Sequence, residues 1–285
     1  MKNNFDLTGK TVLVTGSTDG LGKLTAEHLA RRGAEVLLHG RNMEKGASLL
    51  SALKKTTGND RVFYYNADFS SLKEVDAMAG RIVQAHDRLD LLINNAGIGG
   101  GPRGTNERQL GSEGYELRFT VNYLSHFLLT LRLLPCIISS APSRIINVSS
   151  VGQQKIDFDD VMLEKGYDSF RAYRQSKLAQ IMFTIDLAEE LADTGVVVNA
   201  LHPASLMNTN MVHEFFATTM SSVDEGAAAL EYVATSEDTG KVTGLYFDGK
   251  RPEKAIEQAY ELDARLKLRE LSARLTGIDF SAIAS

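Results

Sequence analysis

Two residues four positions apart, Tyr173 and Lys177, offer the most distinctive chemistry in this 285-residue sequence. They lie in the segment SFRAYRQSKLAQIMFT, whose apolar residues recur at helical spacing. Side chains at positions i and i+4 share one helix face, so the ammonium would lie near the phenol. A free phenol titrates near ~10, and its pKa must fall by about 2–3 before it can act as an acid or base near neutrality. A neighbouring ammonium could lower the pKa of Tyr173 in this way, although most Tyr-x-x-x-Lys pairs only decorate a helix surface.

Three polar clusters follow or interrupt apolar segments and could join this pair. Ser150 ends the segment RIINVSS, residues 94–97 (NNAG) end the segment LDLLINNAG, and Asn122 lies within RFTVNYLSHF. Ligand sites of parallel sheets lie beyond the carboxyl ends of the strands, where a serine hydroxyl could hold a substrate oxygen beside Tyr173. Ser150 could equally be a cap or turn residue, and the buried asparagines need hydrogen bonds for structural reasons alone.

A glycine-rich turn, TGSTDGLG at 15–22, separates the first apolar segment from an amphipathic one. Glycines at such a bend let a pyrophosphate approach the helix N-terminus, where free N–H groups and the helix dipole favour an anion. Gly16, Gly20 and Gly22 give the spacing G-x-x-x-G-x-G. A glycine turn without a cofactor is the alternative, but the strand before it and the helix after it favour a dinucleotide site.

The end of the second apolar segment indicates which dinucleotide would bind. NAD-binding folds usually place a carboxylate there for the ribose 2′-hydroxyl, whereas this chain has HGR at 39–41 and no carboxylate before Glu44. Arg41 offers a planar, permanently charged group suited to a 2′-phosphate, which favours NADP(H) over NAD(H). A solvated loop arginine is the alternative, and Asp19 would oppose a phosphate nearby. Asp68, after the third segment, could accept a hydrogen bond from the adenine amino group.

The elements that would position these residues alternate between apolar and amphipathic segments. Amphipathic helices are predicted between the strands, which suggests a single α/β domain over 1–285 with a doubly wound Rossmann fold, a seven-stranded mostly parallel sheet and helices on both faces. The predicted strands span 11–16, 34–40, 61–68, 89–97, 144–150, 196–203 and 244–249. Continuous Val, Leu and Ile in several of them indicate strands buried on both faces.

Composition excludes several other classes of protein. A net charge of −5 without a basic face argues against nucleic-acid binding. The single cysteine, Cys136, lies in the apolar run LRLLPCII and is interpreted as a buried small hydrophobe, and no Cys/His cluster has metal-site spacing. No signal peptide or membrane span is expected, because the chain enters a strand almost at once and lacks a long uncharged apolar run. We therefore expect a cytoplasmic protein that binds a small molecule, and that could form a homo-oligomer (a dimer or tetramer).

Together these motifs resemble the short-chain dehydrogenase/reductase family, and most of all its retinol-dehydrogenase and WW-domain-oxidoreductase-like branch. The resemblance spans roughly residues 8–250 and rests on TGSTDGLG, the Asp of NAD, NNAG, the Asn of VNYLSHF, NVSS, YRQSK and the HP turn, in family order. It implies that Tyr173 is the general acid/base, that Lys177 binds the nicotinamide ribose and lowers the tyrosine pKa, that Ser150 orients the substrate, and that Asn122 holds a water in a proton relay. The residues implied as cofactor contacts are Gly16, Ser17, Thr18, Gly20, Leu21, Gly22, Arg41, Asp68, Phe69, Asn94, Ala96, Gly97, Tyr173, Lys177, Pro203, Ala204 and Thr209.

The sequence departs from the family pattern at three places. The insertion QQKIDFDDVMLEKGYDSF lengthens the spacing between Ser150 and Tyr173, as in the retinol-dehydrogenase-like branch. Ala204 stands where the family usually has glycine after His202-Pro203. The following threonine, Thr209, lies one position late, with Asn208 in its expected place, so either residue could meet the cofactor.

Two further segments bear on the substrate. Residues 204–223 correspond to the mobile substrate lid, and their methionines and phenylalanines (Met207, Met211, Phe215, Phe216 and Met220) favour a lipophilic or aromatic carbonyl substrate, or else ordinary packing. Residues 252–277 are predicted to form one or two amphipathic helices that cap the sheet or join a subunit interface. His126, His202 and His213 are interpreted as packing or surface residues.

The expected activity is NADP(H)-dependent interconversion of an alcohol and a carbonyl (EC 1.1.1.-). The alternative is a catalytically silent NADP-binding regulator or scaffold.

Overall fold

The structure, a computed structural model, describes residues 7–101, 106–215 and 218–278. The strands are β1 Thr11–Val14, β2 Glu35–Gly40, β3 Val62–Asn66, β4 Leu91–Asn94, β5 Ser143–Val148, β6 Val196–His202, β7 Tyr246–Asp248 and β8 Arg251–Glu253. They form one sheet in the order β3-β2-β1-β4-β5-β6-β7-β8. β1 to β7 run parallel and β8 pairs antiparallel with β7.

Helices connect the strands and cover both faces of the sheet. They are α1 Gly20–Arg31, α2 Met43–Thr57, α3 Leu72–Ala85, α4 Leu117–Phe119, α5 Ser125–Ser139, α6 Ser169–Glu190, α7 Asn210–Phe215, α8 Val223–Thr235 and α9 Leu262–Thr276. A π-helical turn, Thr120–Leu124, joins α4 to α5. Polar N-cap side chains accept hydrogen bonds from first-turn N–H groups and fix where these helices begin; they include Asp19, Asn42, Ser71, Asp168 and Ser222.

Two apolar cores lie on opposite faces of the sheet. One packs α1, α2 and α8 against the sheet, and the other packs α3, α5, α6 and α9 against it. Alternate side chains of β1 belong to different cores, because Leu13 lies in one whereas Val12 and Val14 lie in the other. Both faces of the central strands are therefore buried, which explains their continuous apolar sequence and confirms the doubly wound α/β prediction.

The strand order reverses between β1 and β4. From β1 the chain proceeds outward to β2 and β3, and it then returns to β4 on the other side of β1. Two diverging connections leave a crevice beyond the carboxyl ends of these neighbouring strands, where ligands bind in open α/β sheets. The glycine turn follows β1 and the NNAG segment follows β4, so both predicted cofactor motifs lie at this crevice.

The edge of the sheet differs from the sequence prediction. All seven predicted strands are present, and the described residues add an eighth, β8, where a helix was predicted from residue 252. Gly249 adopts a positive φ of 58°, which lets the chain fold back after β7, and Pro252 is tolerated because β8 is an edge strand. A 3₁₀ turn, Glu257–Tyr260, then leads into α9, which packs on α6.

One helical run, Leu117–Ser139, is long and apolar enough to cross a membrane by length and composition alone. In this fold 83% of its most apolar stretch is buried. The run comprises α4, the π-helical turn and α5, and it supplies the centre of one core. Cys136 near its end is buried, as predicted.

Candidate active site

The glycine turn is shaped by close backbone contact with the segment that follows β4. Gly16 has a φ of +64°, and a Cβ built there would lie 2.8 Å from the Cα of Ala96. Gly22 packs directly against the carbonyl oxygen of Gly16. Side chains at these two positions would displace backbone, so glycine is required to bring the turn and the N-terminus of α1 to the crevice. This cradle fits a dinucleotide pyrophosphate at the helix N-terminus.

Thr15 joins the two cofactor motifs. Its hydroxyl oxygen accepts the backbone N–H groups of Asn95 at 2.8 Å and Ala96 at 2.9 Å. The Asn95 amide in turn donates to the carbonyl oxygens of Thr15 at 2.8 Å and Gly16 at 3.2 Å. The turns after β1 and β4 are therefore held together as one unit.

The predicted 2′-phosphate site lies at the end of β2. Arg41 is exposed and forms no ion pair with any other residue that the structure describes. Thr18 of the glycine turn packs against the preceding residue, because a Cβ on Gly40 would lie 2.6 Å from the Thr18 methyl carbon. Asp68 follows β3 and is half-buried, with its carboxylate accepting the Ser70 N–H at 2.9 Å. Arg41 follows β2 and Asp68 follows the neighbouring strand β3, so both lie at the carboxyl edge of the sheet.

The predicted catalytic side chains meet on the other side of the crevice. Tyr173 and Lys177 lie on α6, with the Lys177 Nζ 5.7 Å from the centre of the Tyr173 ring. A Cβ on Gly152 would lie 3.4 Å from Ser150 Oγ and 3.7 Å from Tyr173 Cε1, so these two side chains border the same space. Ser150 Oγ accepts the Gly152 N–H at 3.0 Å, and a side-chain hydrogen bond joins Ser150 to Tyr173.

The protein's own groups affect these residues differently from the sequence expectation. Burial raises the pKa of Tyr173 and outweighs the hydrogen bond from Ser150, which lowers it. Burial also lowers the pKa of Lys177 to about 7, although its Nζ donates to the Val148 carbonyl and to Gln180 Oε1, both at 2.9 Å. Burial disfavours the charged form of each group, so it raises the pKa of Tyr173 and lowers that of Lys177.

Asn122 lies in the π-helical turn, a distortion often found at functional sites. Its Oδ1 accepts the Ile98 N–H at 2.8 Å, and its Nδ2 donates to the Ile98 carbonyl at 3.0 Å and to Ser176 Oγ at 2.9 Å. A Cβ on Gly97 would lie 3.2 Å from Asn122 Oδ1 and 3.7 Å from the Lys177 Nζ. Asn122 thus ties the segment after β4 to α6, with both of its amide N–H groups donated to protein oxygens.

Several predicted cofactor contacts point their side chains away from the crevice. Asn94 is fully buried and donates to Thr130 at 2.9 Å and Asn147 at 2.8 Å. Ser17 is also fully buried, with its hydroxyl on the His39 carbonyl. Leu21 lies in the apolar core beneath α1. These side chains support the site from the protein interior, and only their backbone atoms could face a ligand. For Asn94 this is the structural role that the sequence analysis left open as an alternative.

The segment after β6 reaches the glycine turn. Pro203 and Ala204 leave the end of β6, and the methyl carbon of Thr209 lies 3.1 Å from where a Cβ on Gly20 would be. Asn208 instead bonds to His213, so of the two candidate residues it is Thr209 that lies against the turn. The Asn210 amide donates to the Asp19 carboxylate and adds a second link. Phe216 lies outside the described residues, as do 102–105 of the glycine-rich segment after β4.

Sequence reasoning missed two buried histidines beside the glycine turn. His39 was not considered, and His126 was assigned to packing. The Gly16 N–H donates to His39 Nδ1 at 3.0 Å, and His126 Nε2 lies 3.2 Å from Thr15 Oγ1. The only available signal was a polar residue at the end of an apolar strand and another on an apolar helix, which more often indicates a satisfied core histidine.

A dinucleotide cradle and a phenol–hydroxyl–ammonium group share one crevice, which defines the class of nicotinamide-dependent oxidoreductases. Comparison with known families agrees, because the family model for short chain dehydrogenase matches residues 10–219. The chain belongs to the short-chain dehydrogenase family and is an NAD(P)-dependent oxidoreductase.

Similar proteins place it near the retinol dehydrogenases, as the sequence motifs predicted. It is 38% identical to retinol dehydrogenase 13 of Homo sapiens over 292 residues, which covers 96% of this chain and 87% of that protein. It is 35% identical to retinol dehydrogenase 12 of Mus musculus, with 97% and 89% of the two chains covered. Among solved structures, a short chain dehydrogenase from Escherichia coli CFT073 complexed with NADPH matches with a TM-score of 0.72 and 27% identity, covering 87% of this chain and 100% of that one.

Proposed function

We propose that this protein is an NADP(H)-dependent alcohol dehydrogenase or carbonyl reductase with Tyr173 as its general acid/base. The observation that carries the proposal is the common space bordered by Ser150 and Tyr173, beside Lys177 and the glycine cradle. A silent NADP-binding scaffold would not require these three side chains together. The relatives named as retinol dehydrogenases support an alcohol/carbonyl reaction.

The cofactor assignment rests on Arg41. Arg41 is exposed and has no ion-pair partner among the described side chains. It directly follows Gly40, which packs against Thr18 of the glycine turn, where the ribose of a dinucleotide on this turn would be placed. A planar guanidinium binds a phosphate through paired hydrogen bonds, which favours the 2′-phosphate of NADP(H). The structural relative complexed with NADPH supports the same choice.

The proposed chemistry assigns one task to each side chain. When bound, the reduced nicotinamide supplies a hydride to the carbonyl carbon. Tyr173 donates its phenolic proton to the carbonyl oxygen, and the O–H of Ser150 turns from Tyr173 to donate a hydrogen bond to the same oxygen. Lys177 uses two of its three N–H donors on Val148 and Gln180, which leaves the third for the nicotinamide ribose. Alcohol oxidation is the reverse of these steps.

The substrate proposal rests on the lid segment. Met220 is 74% exposed and Met211 37% exposed, so flexible apolar side chains are available to a lipophilic ligand. We expect better turnover of retinoid-type and aromatic carbonyls than of small hydrophilic ones.

We also propose a cytoplasmic location, supported by the burial of Leu117–Ser139 within the core. Subcellular fractionation of the tagged full chain would test this location.

The test is nicotinamide absorbance in the presence of NADPH and a panel of retinaldehyde, aromatic aldehydes, ketones and quinones. Consumption of NADPH that depends on the carbonyl and yields the alcohol is the expected result. Tight NADPH binding with no carbonyl consumed across the panel would contradict the enzyme and support the silent scaffold. If NADPH is consumed, the carbonyl that is reduced fastest would define the substrate specificity of the lid.

A further inference from the structure

The first two residues of the glycine turn are each held by a buried histidine from a different element. His39 on β2 is 3% exposed, and its Nδ1 lies 3.0 Å from the Gly16 backbone nitrogen. Its Nε2 lies 3.1 Å from the carbonyl oxygen of Ala67. Since a carbonyl only accepts, Nε2 carries the proton and Nδ1 is the acceptor for the Gly16 N–H.

His126 on α5 approaches the turn from the other side. It is 1% exposed, and its Nδ1 lies 2.9 Å from the carbonyl oxygen of Asn122, so Nδ1 carries the proton. Its Nε2 faces the Thr15 hydroxyl at 3.2 Å as an acceptor, in competition with the Ile93 carbonyl oxygen, which lies 3.2 Å from the same hydroxyl. The ring therefore bridges the cofactor turn and the π-helical turn that carries Asn122.

The two rings form one packed unit with Phe69. Phe69 stacks on His39 with ring centres 4.1 Å apart and meets His126 edge-on at 5.3 Å. Burial lowers the pKa of His39 to about 4 and that of His126 to about 3, so both rings are neutral at physiological pH. Neutral rings are required here, because a protonated imidazole has no acceptor nitrogen for Gly16 or Thr15.

We propose that His39 and His126 are positioning residues of the dinucleotide site, which hold Thr15 and Gly16 in the conformation that admits a pyrophosphate. The inference rests on the proposed NADP(H) function and goes beyond it, because neither histidine touches the reacting atoms. Through His126 the cofactor turn and Asn122 also share one hydrogen-bonded frame.

Amide variants separate the two bonds of each ring. Asn places its side-chain oxygen near the position of Nδ1, and Gln places its amide nitrogen near that of Nε2. His39→Asn therefore keeps an acceptor for Gly16, whereas His39→Gln keeps the donor to Ala67 and loses that acceptor. We expect His39→Gln to raise the Kd for NADPH roughly tenfold and to speed hydrogen exchange of the Gly16 amide by a similar factor. His39→Asn should change both quantities by less than about twofold.

The control is His86→Gln. The side chain of His86 is 8% exposed and bonds to Tyr65 and Glu35, away from the glycine turn, so this variant should lower stability without moving the NADPH Kd. If His39→Gln does not fold, the His126 pair gives the same test. There His126→Gln keeps an acceptor for Thr15, His126→Asn loses it, and only the latter should weaken NADPH binding.

Equal effects of Asn and Gln at His39, or an unchanged Gly16 exchange rate in His39→Gln, would overturn the inference. Failure of the wild-type protein to bind NADPH would instead overturn the proposed function. The Gly16 exchange rate would still decide the role of His39 in that case, since it is measured without cofactor or turnover.

Discussion

Burial in the site changes the pKa of individual residues, as Lys177 shows. Its ammonium is 5% exposed and is held by a carbonyl and an amide oxygen, with no carboxylate among the groups that shift its pKa. Desolvation brings its pKa to about 7, so its charge changes near physiological pH. The neighbouring phenol is kept protonated because burial raises the pKa of Tyr173. These two directions suit proton donation in carbonyl reduction.

A pH dependence follows from the lowered pKa of Lys177. Below about pH 7 the Lys177 ammonium is charged, and it loses its proton as the pH rises through that value. We expect kcat/KM for carbonyl reduction to fall as pH increases above this point, as measured from about pH 6 to about pH 9. Lys177→Arg keeps the charge throughout, so any residual activity of that variant should be flat over the range. A flat wild-type profile would contradict the assignment.

Cofactor choice should depend on one exposed guanidinium. Arg41→Ala removes the proposed 2′-phosphate ligand, so the Kd for NADPH should rise roughly tenfold to hundredfold while the Kd for NADH stays nearly constant. Nucleotide fluorescence titration measures both. Arg61→Ala is the matched control, because Arg61 lies before β3 and bonds to the Gly33 carbonyl. Equal weakening of NADPH and NADH by Arg41→Ala would show that Arg41 does not read the phosphate.

Sequence spacing could predict the functional residues whose partners lie nearby in the sequence, or which directly follow a strand of the parallel sheet. Tyr173 and Lys177 were predicted from helical spacing, and Ser150 from its place after β5. The pKa relation between Tyr173 and Lys177 could not be predicted, because it depends on how deeply α6 is buried. His39 and His126 were missed because the atoms they hold, on Gly16 and Thr15, are distant in sequence and come together only through the sheet.

At the scale of elements, α6 is fixed from both sides. Asn122 in the π-helical turn bonds to Ser176 on its inner side, and α9 packs along its outer side. Arg265 of α9 is buried and donates to Asp186 at 2.6 Å and Glu189 at 2.9 Å. The C-terminal segment therefore covers the catalytic helix within the same chain.

Breaking the α6–α9 ion pair should destabilise the protein. Arg265→Met leaves Asp186 buried without its partner, and we expect the free energy of unfolding to fall by about 3 kcal/mol, as measured by urea denaturation at neutral pH. Burial raises the pKa of Asp186 to about 6, above its unfolded value, so ionisation of Asp186 opposes folding as pH rises through that range. The loss of unfolding free energy caused by Arg265→Met should therefore be smaller at acidic pH, where Asp186 is protonated. Asp186→Leu in the same chain should restore part of the stability at neutral pH, and a loss below about 1 kcal/mol in the single variant would contradict this role.

The sequence pattern predicted elements whose environment is uniform along their length. The central parallel strands are buried on both faces, so their apolar runs matched the observed bounds to within a few residues. β8 and the π-helical turn escaped prediction for a different reason. A three-residue edge strand containing Pro252 lacks alternation. The π-helical turn at 120–124 is buried, like most of the α-helix that follows it, so no break in the pattern separates the two.

At the scale of the whole molecule, the sheet topology brings distant segments to one crevice. The glycine turn follows β1, NNAG follows β4, Ser150 follows β5 and Pro203 follows β6. The carboxyl ends of these parallel strands share one edge, so a single extended ligand could contact all four segments. The cofactor should therefore stabilise the entire fold rather than one loop.

Thermal unfolding with and without nucleotide tests this expectation. A ligand at about 100 times its Kd adds about 2.7 kcal/mol to the free energy of unfolding, which for a chain of this size raises Tm by several degrees. We expect NADP⁺ to produce this shift and NAD⁺ at the same concentration to produce less, because it lacks the phosphate that Arg41 would bind. A larger shift with NAD⁺ would reverse the cofactor assignment.

The central claim is that Tyr173 exchanges a proton with a substrate oxygen, and Tyr173→Phe tests it most directly. This variant keeps the ring and the packing of α6 and removes only the hydroxyl. With the best carbonyl substrate, kcat should fall about 10²–10⁴-fold while the Kd for NADPH stays within about twofold of wild type. Retention of kcat to within about tenfold, with NADPH binding unchanged, would contradict the account.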